Sequence, residues 1–189
     1  CVALSTGSES TFEKVTTNVT IQCAGAGTES FVGGLLGLKQ GSDSAVTVTN
    51  CTGKATIKDD TTTGVHTVGG LIGVHAGGGT ITVSGTTLTG NITGGSIADA
   101  KYGGLISVIK DNAAKMYLNS LTVDGQKIVN SATTSSGGLL GYEWNNSEVY
   151  FGDGNSSNVT IQGESGVNVA GNASVGALVY RATGYWQVN

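Results

Sequence analysis

Few side chains in this sequence can do acid–base or nucleophilic chemistry, and their spacing limits each of them. His66 and His75 lie in different segments, and neither has a partner at metal-ligand spacing. With His scarce and Ser abundant, no Ser-His-Asp arrangement can be drawn. Glycosidic chemistry needs two carboxylates on one face. The acidic residues are scattered, and Asp59, Asp60, Asp99 and Asp124 fall near equivalent linkers that stacking could bring together. Solvated turn carboxylates are the simpler expectation. FGDGNSS at 151–157 offers one Asp where a calcium loop needs several oxygen ligands, so a Gly-Asp-Gly turn is expected there. No catalytic residue, metal site or cofactor is implied.

Modification is better represented. Seven Asn-x-Ser/Thr sequons stand at Asn18, Asn50, Asn91, Asn145, Asn155, Asn158 and Asn172, about twice the chance number in so Ser/Thr-rich a chain. Asn18, Asn91 and Asn158 each precede an inward Val or Ile, so their own side chains should face solvent, where N-linked sugars can sit. Asn50 falls on the inward phase and is the weakest acceptor. Of three cysteines, Cys23 closes NVTIQC and Cys51 closes VTVTNC. That equivalence admits a disulfide between neighbouring coils, one residue out of alignment, and admits two buried thiols equally well. Cys1 would be a lipidated first residue if processing set that end. Tyr142, Trp144, Tyr185 and Trp186 gather in the last third, as stacking platforms for sugar rings or as a cap on the final coils.

The elements that position these residues follow from composition and repeats. The chain has 189 residues with 32 Gly, no Pro and only 12% charged residues, well away from ordinary globular usage. Its apolar residues are Val, Ile and Leu in short alternating bursts, which is the pattern of strands. The net charge of −4 is spread evenly, and the nine Lys and Arg form no stripe, so a nucleic-acid partner is not expected. No apolar run is long enough to span a membrane.

A Gly-Gly-aliphatic motif recurs as GGLLG at 33–37, GGLIG at 69–73, GGLIS at 103–107 and GGLLG at 137–141, with a degenerate VGALV at 175–179. The first three intervals are 36, 34 and 34 residues. A second marker follows each motif at Val46, Ile81, Met116 and Val149, with apolar partners two residues on at Val48, Val83, Leu118 and Phe151. A third is Ile57, Ile92, Ile128 and Ile161. No single repeat can bury its apolar face alone, so neighbours must stack. The expectation is an all-β parallel β-helix or solenoid of about five coils, three short strands per coil, roughly 24 Å long. It forms one domain over 1–189, with repeats near 33–68, 69–102, 103–136 and 137–174 and irregular ends at 1–32 and 175–189. The paired glycines suit corners, where positive φ and close coil approach are needed. No helical cap is apparent, so the end coils should leave strand edges open.

The stretches GGLLG, TNCTGKATI and TVGGLIG resemble the GLUG repeat of large secreted and surface proteins, including bacterial adhesins and IgA-protease-like chains. The likeness covers about residues 30 to 180, and GGLIS and VGALV depart from it. It implies an extracellular stalk or adhesive role and brings no catalytic residues.

The expected function is therefore a structural subunit or segment of an extracellular or cell-surface filament, self-assembling with copies of itself and N-glycosylated where the source glycosylates. The alternative is a carbohydrate-binding adhesin with glycans as partners. A polysaccharide-degrading β-helix enzyme is a lesser alternative. So is an ice-binding protein, because the outward Thr47/Thr49 and Thr82/Ser84 give way to Tyr117/Asn119 and Tyr150/Gly152.

Overall fold

Alternation of apolar and polar residues over five to eight positions gives strands with one inward face. In Thr52–Asp59, Gly53, Ala55, Ile57 and Asp59 point inward and Thr52, Lys54, Thr56 and Lys58 outward. A computed structural model describes the backbone of residues 2–24, 26–41, 45–95, 97, 100–110, 114–124, 127–129, 135–143 and 147–152. It also describes the strands at 160–162, 168–170, 174–176, 179–181 and 185–188.

Those strands form four parallel sheets wound into a β-solenoid, with no helix among the described residues. The first sheet stacks Val2–Ser5, Leu36–Gln40, Ile72–Ala76, Ile106–Ile109, Leu140–Glu143 and Val179–Arg181. The second stacks Glu9–Glu13, Ala45–Thr49, Thr80–Ser84, Lys115–Asn119, Glu148–Phe151 and Tyr185–Val188. The third begins with Thr16–Cys23, Thr52–Asp59 and Thr87–Thr93; beyond these each rung is two short strands, Thr122–Asp124 with Lys127–Val129, then Thr160–Gln162 with Asn168–Ala170. The fourth stacks Ala26–Gly33, Thr63–Gly69, Lys101–Gly103, Ser135–Gly137 and Ser174–Gly176.

The parallel solenoid expected from the repeats is thus present, with two corrections. Each coil passes through four sheets, because the segment before each Gly-Gly is itself a strand whose inward residues include His66 and Tyr102 as well as Val68, so its apolar pattern is diluted. The coil count also differs slightly, since the first two sheets carry six strands and three central circuits hold most of the described side chains.

The core is a set of columns along the axis. Val46, Ile81, Met116 and Val149 pair in register, as do Val48, Val83, Leu118 and Phe151, and all eight are buried. Ile57, Ile92 and Ile128 form a third column, which continues to Val169; Ile161 pairs instead with Val123. Burying each such aliphatic side chain contributes about 1.5–3 kcal/mol.

Residues 2–33 form a complete first circuit. Val19 and Ile21 belong to the third sheet, opposite Ala55 and Ile57, while Ser10 and Phe12 face Val46 and Val48. NVTIQC and VTVTNC are therefore offset by one sheet and are not equivalent segments, and the stretch 1–32 expected to be irregular holds a rung of every sheet.

The Gly-Gly corners do not use positive φ, since none of the described glycines of these pairs adopts it. What matters is the missing Cβ. On Gly33, Gly69 and Gly103 a Cβ would run into the carbonyl oxygen three residues on, at Leu36, Ile72 and Ile106. The closing Gly of the motif lets the first sheet lie against the fourth: a Cβ on Gly73 would stand 2.8 Å from both the amide nitrogen and the carbonyl oxygen of Val32. At the third copy Ser107 takes this place, and its hydroxyl donates to Lys101 O at 2.6 Å.

The left-handed conformation occurs at the next-but-one corner. Lys14 (φ 55°), Asn50 (φ 54°), Gly85 (φ 57°) and Ser120 (φ 50°) make the turn from second to third sheet. Their stacked amides bond rung to rung: Lys14 N–H to Thr49 O, Asn50 N–H to Ser84 O and Gly85 N–H to Asn119 O. Asn and Gly tolerate this conformation better than Lys and Ser.

Candidate functional site

The chemically richest cluster lies inside the solenoid, where the third and fourth sheets meet. Asp59 ends its strand on the inward phase, and its carboxylate accepts from the Tyr102 hydroxyl at 2.8 Å, from Thr61 N–H at 3.2 Å and from the Thr61 hydroxyl. His66 Nδ1 lies 3.8 Å from the same carboxylate and 3.3 Å from Thr61 Oγ1, and its Nε2 is 3.0 Å from Thr63 O. Gly95 N–H donates to the Tyr102 oxygen at 3.1 Å. Burial, reinforced by the Asp59 charge, raises the Tyr102 hydroxyl well above its ordinary range. All of these side chains are buried. The cluster is closed to a substrate, and its chemistry is satisfaction of a buried carboxylate.

Asp60 and Asp124 do not converge on it. Asp60 points outward, accepting from Gln22 Nε2 at 3.0 Å and pairing with Lys58 Nζ at 2.8 Å. Asp124 pairs in register with Gln162. Asp99 lies outside the described residues. His75 is fully buried in the first sheet, and among the described residues no group of three His, Cys, Asp or Glu could hold a metal. Gly152 of FGDGNSS turns at φ 97°, and 153–157 lie outside the described residues.

Of the two alternatives for Cys23 and Cys51, the strand pairing fits free thiols and not a disulfide. Cys23 pairs with Asp59, whereas Cys51 precedes the same Thr52–Asp59 strand. Eight strand residues separate the two positions, roughly 26 Å, while a disulfide needs Cα atoms within about 7 Å. Both are free thiols. Cys51 is buried and its sulfur donates to Phe12 O at 3.4 Å and Thr49 O at 3.3 Å. Burial pushes the Cys23 thiol up to about 11, with Asp59 and Asp60 adding to it. Cys1 lies outside the described residues.

Among the sequons, Asn18 and Asn91 are exposed on the third sheet, as their phase indicated. Asn50 is exposed as well, contrary to its inward phase, because the left-handed corner takes it out of the strand alternation. Asn145, Asn155, Asn158, Asn172 and Trp144 lie outside the described residues. Of the other aromatics, only backbone positions are described. Tyr142 pairs with Val108 and Arg181, Tyr185 with Glu148, and Trp186 with Val149 of an inward column.

Outward columns are equally regular. In the second sheet Thr47 and Thr82 give way to the stacked rings of Tyr117 and Tyr150. The third sheet carries what the sequence reading missed, an unbroken column of Thr16, Thr52, Thr87, Thr122 and Thr160. The signal was present as a Thr opening each third-sheet segment, but only with the four-strand coil does it become a column. A groove of about 240 Å³ runs outside where the fourth and first sheets meet, with Phe31, Val74 and Val108 among its lining and Glu29, Lys101 and Lys110 beside them.

The ends of the stack differ from these satisfied surfaces, and the first circuit is the better described of the two. Among the described residues, the four strands of the first circuit each pair on one side only, with the second circuit. Its inward residues Phe12, Val15, Val19, Ile21 and Val32 are only partly buried, and Val2 and Leu4 are 37% and 53% exposed. Lys39 fastens this circuit to the next, its buried ammonium donating to Ser5 Oγ at 3.3 Å, Ser10 Oγ at 3.2 Å and the Gly7 carbonyl.

These features define a repeat protein of the parallel β-solenoid class. No family model, no curated protein and no solved structure matches the chain.

Proposed function

We propose that the chain is a structural segment of an extracellular filament or surface appendage, extended by strand pairing at its open first circuit and bearing N-linked sugars at exposed sequons. The observation that supports this most directly is that, among the described residues, all four first-circuit strands have no partner on their outer side while their apolar interior is half-buried, a template for a further parallel rung. Copies of the same chain offer a rung of matching pitch. The GGLLG and GGLIG copies fit the same reading as GLUG-type repeats, a likeness that rests on the motif alone.

The test uses sedimentation velocity and negative-stain microscopy of the full chain across a wide concentration range. Val15 O and Cys23 O both accept from the second circuit. Odd positions of Thr16–Cys23 therefore bond inward to the stack, and the Thr20 N–H points to the open edge. Thr20→Pro removes that outer donor while sparing the existing ladder. Filaments that shorten or vanish in Thr20→Pro support the reading; a wild-type chain that stays monomeric at every concentration overturns it.

A second reading, a carbohydrate-binding adhesin, is favoured by the outer groove, where Phe31 could stack on a sugar ring beside the cationic Lys101 and Lys110. A glycan array distinguishes it: binding lost in Phe31→Ala supports the groove, and an array without signal removes it.

A further inference from the structure

Parallel in-register stacking places like residues of adjacent coils side by side, and on the outer face of the second sheet it does so with two phenols. Tyr117 and Tyr150 are paired positions of neighbouring strands, their ring centroids 5.0 Å apart and their planes within 10°. Tyr117 is 36% exposed, so the pair is reachable from solvent. Tyr150 donates its hydroxyl to Glu148 Oε2 at 2.6 Å, and Lys115 Nζ lies 3.0 Å from that same oxygen. The two rings are thus held together beside a fixed proton acceptor.

We propose that Tyr117 and Tyr150 form an oxidative cross-linking site, joined as dityrosine across adjacent coils when a peroxidase-type one-electron oxidant acts on the folded chain. Removing an electron from a phenol makes its hydroxyl strongly acidic, so the proton must leave with the electron. Glu148 takes it from Tyr150, and water takes it from the exposed Tyr117. The two phenoxyl radicals then couple, forming one carbon–carbon bond between the ring carbons ortho to the oxygens. Each coupled carbon passes its hydrogen to its own oxygen, and both rings regain aromaticity. Two electrons and two protons leave in all, and with them one hydrogen peroxide is reduced to two waters. Because the rings are already neighbours, coupling within one chain outruns coupling between chains. The product is a covalent tie between successive rungs, which non-covalent strand pairing alone does not provide.

The experiment treats the dilute full-length chain with a haem peroxidase and hydrogen peroxide. Expected are the blue fluorescence of dityrosine and a monomer lighter by two hydrogen atoms. After tryptic digestion, the peptide 116–127 should be joined to the one containing Tyr150. Tyr117→Phe and Tyr150→Phe, which keep the ring stack, should each abolish this product, and Tyr185→Phe should retain it. Glu148→Gln should slow its formation several-fold. A cross-link that survives Tyr117→Phe, maps to other tyrosines, forms only between chains, or does not form at all overturns the proposal. A Glu148→Gln rate equal to the wild-type rate overturns the role given to Glu148.

Discussion

Tyr102 of the fourth sheet donates its hydroxyl to Asp59 of the third at 2.8 Å, and this bond ties one coil to the preceding one inside the core. A buried carboxylate deprived of a donor bears a desolvation penalty that nothing replaces. Tyr102→Phe should therefore cost about 2 kcal/mol. Urea unfolding of the full chain at neutral pH checks this, and a midpoint equal to the wild type's contradicts it.

The Cys23 thiol, ordinarily near 9.0, is pushed up to about 11 by burial and by Asp59 and Asp60. Below the ordinary value both folded and unfolded chains hold the proton, so the contribution to stability is complete. As pH rises from about 9 to about 11 the unfolded chain releases its proton and the folded chain keeps it, so stability falls across that window. Unfolding midpoints at about pH 8 and about pH 10 should differ more in the wild type than in Cys23→Ala. Alkylation of Cys23 in the folded chain should likewise stay slow until strongly alkaline pH.

Gly73→Ala would drive a Cβ into the backbone of Val32 and Gly37, neither of which can swing aside. The expected loss is about 3 kcal/mol or more. Ser107→Ala, at the equivalent place in the next coil, gives up only the hydroxyl bond to Lys101 O and should cost about 1 kcal/mol. Thermal melts of the two variants should rank them in that order.

At the left-handed corner, Ser120 holds φ 50° with a side chain that disfavours it. Ser120→Gly should stabilise the chain by about 0.5–1 kcal/mol, the relief of αL strain less the added freedom of the unfolded chain. Gly85→Ala at φ 57° should do the opposite, since its new Cβ also meets Asn50 Oδ1. Both are measured as shifts in the urea midpoint.

Particular residues show how much was legible beforehand. Val46, Ile81 and Met116 pair as their spacing indicated, because an apolar column is written locally in every repeat and one face must be buried. Cys23 and Cys51 were misread because position within an apolar segment does not say which of several similar sheets that segment joins. Asn50 was misread because strand phase does not pass through a left-handed corner. The Asp59 cluster was invisible: Tyr102 stands 43 residues from Asp59 in the chain, and no local pattern links them.

The sequence by itself determined an all-β solenoid. Alternating Val, Ile and Leu can only be strands, and a repeat of 34 to 36 residues with too small a core must stack on its neighbours. Tertiary structure decided the number of sheets, the partners of Cys23 and the meeting of Tyr102 with Asp59. Those depend on register between coils, and register is set by corner geometry at Asn50, Gly85 and the Gly-Gly turns. A one-residue slip of a strand against its neighbour would move that strand's whole inward set to the other face of the sheet.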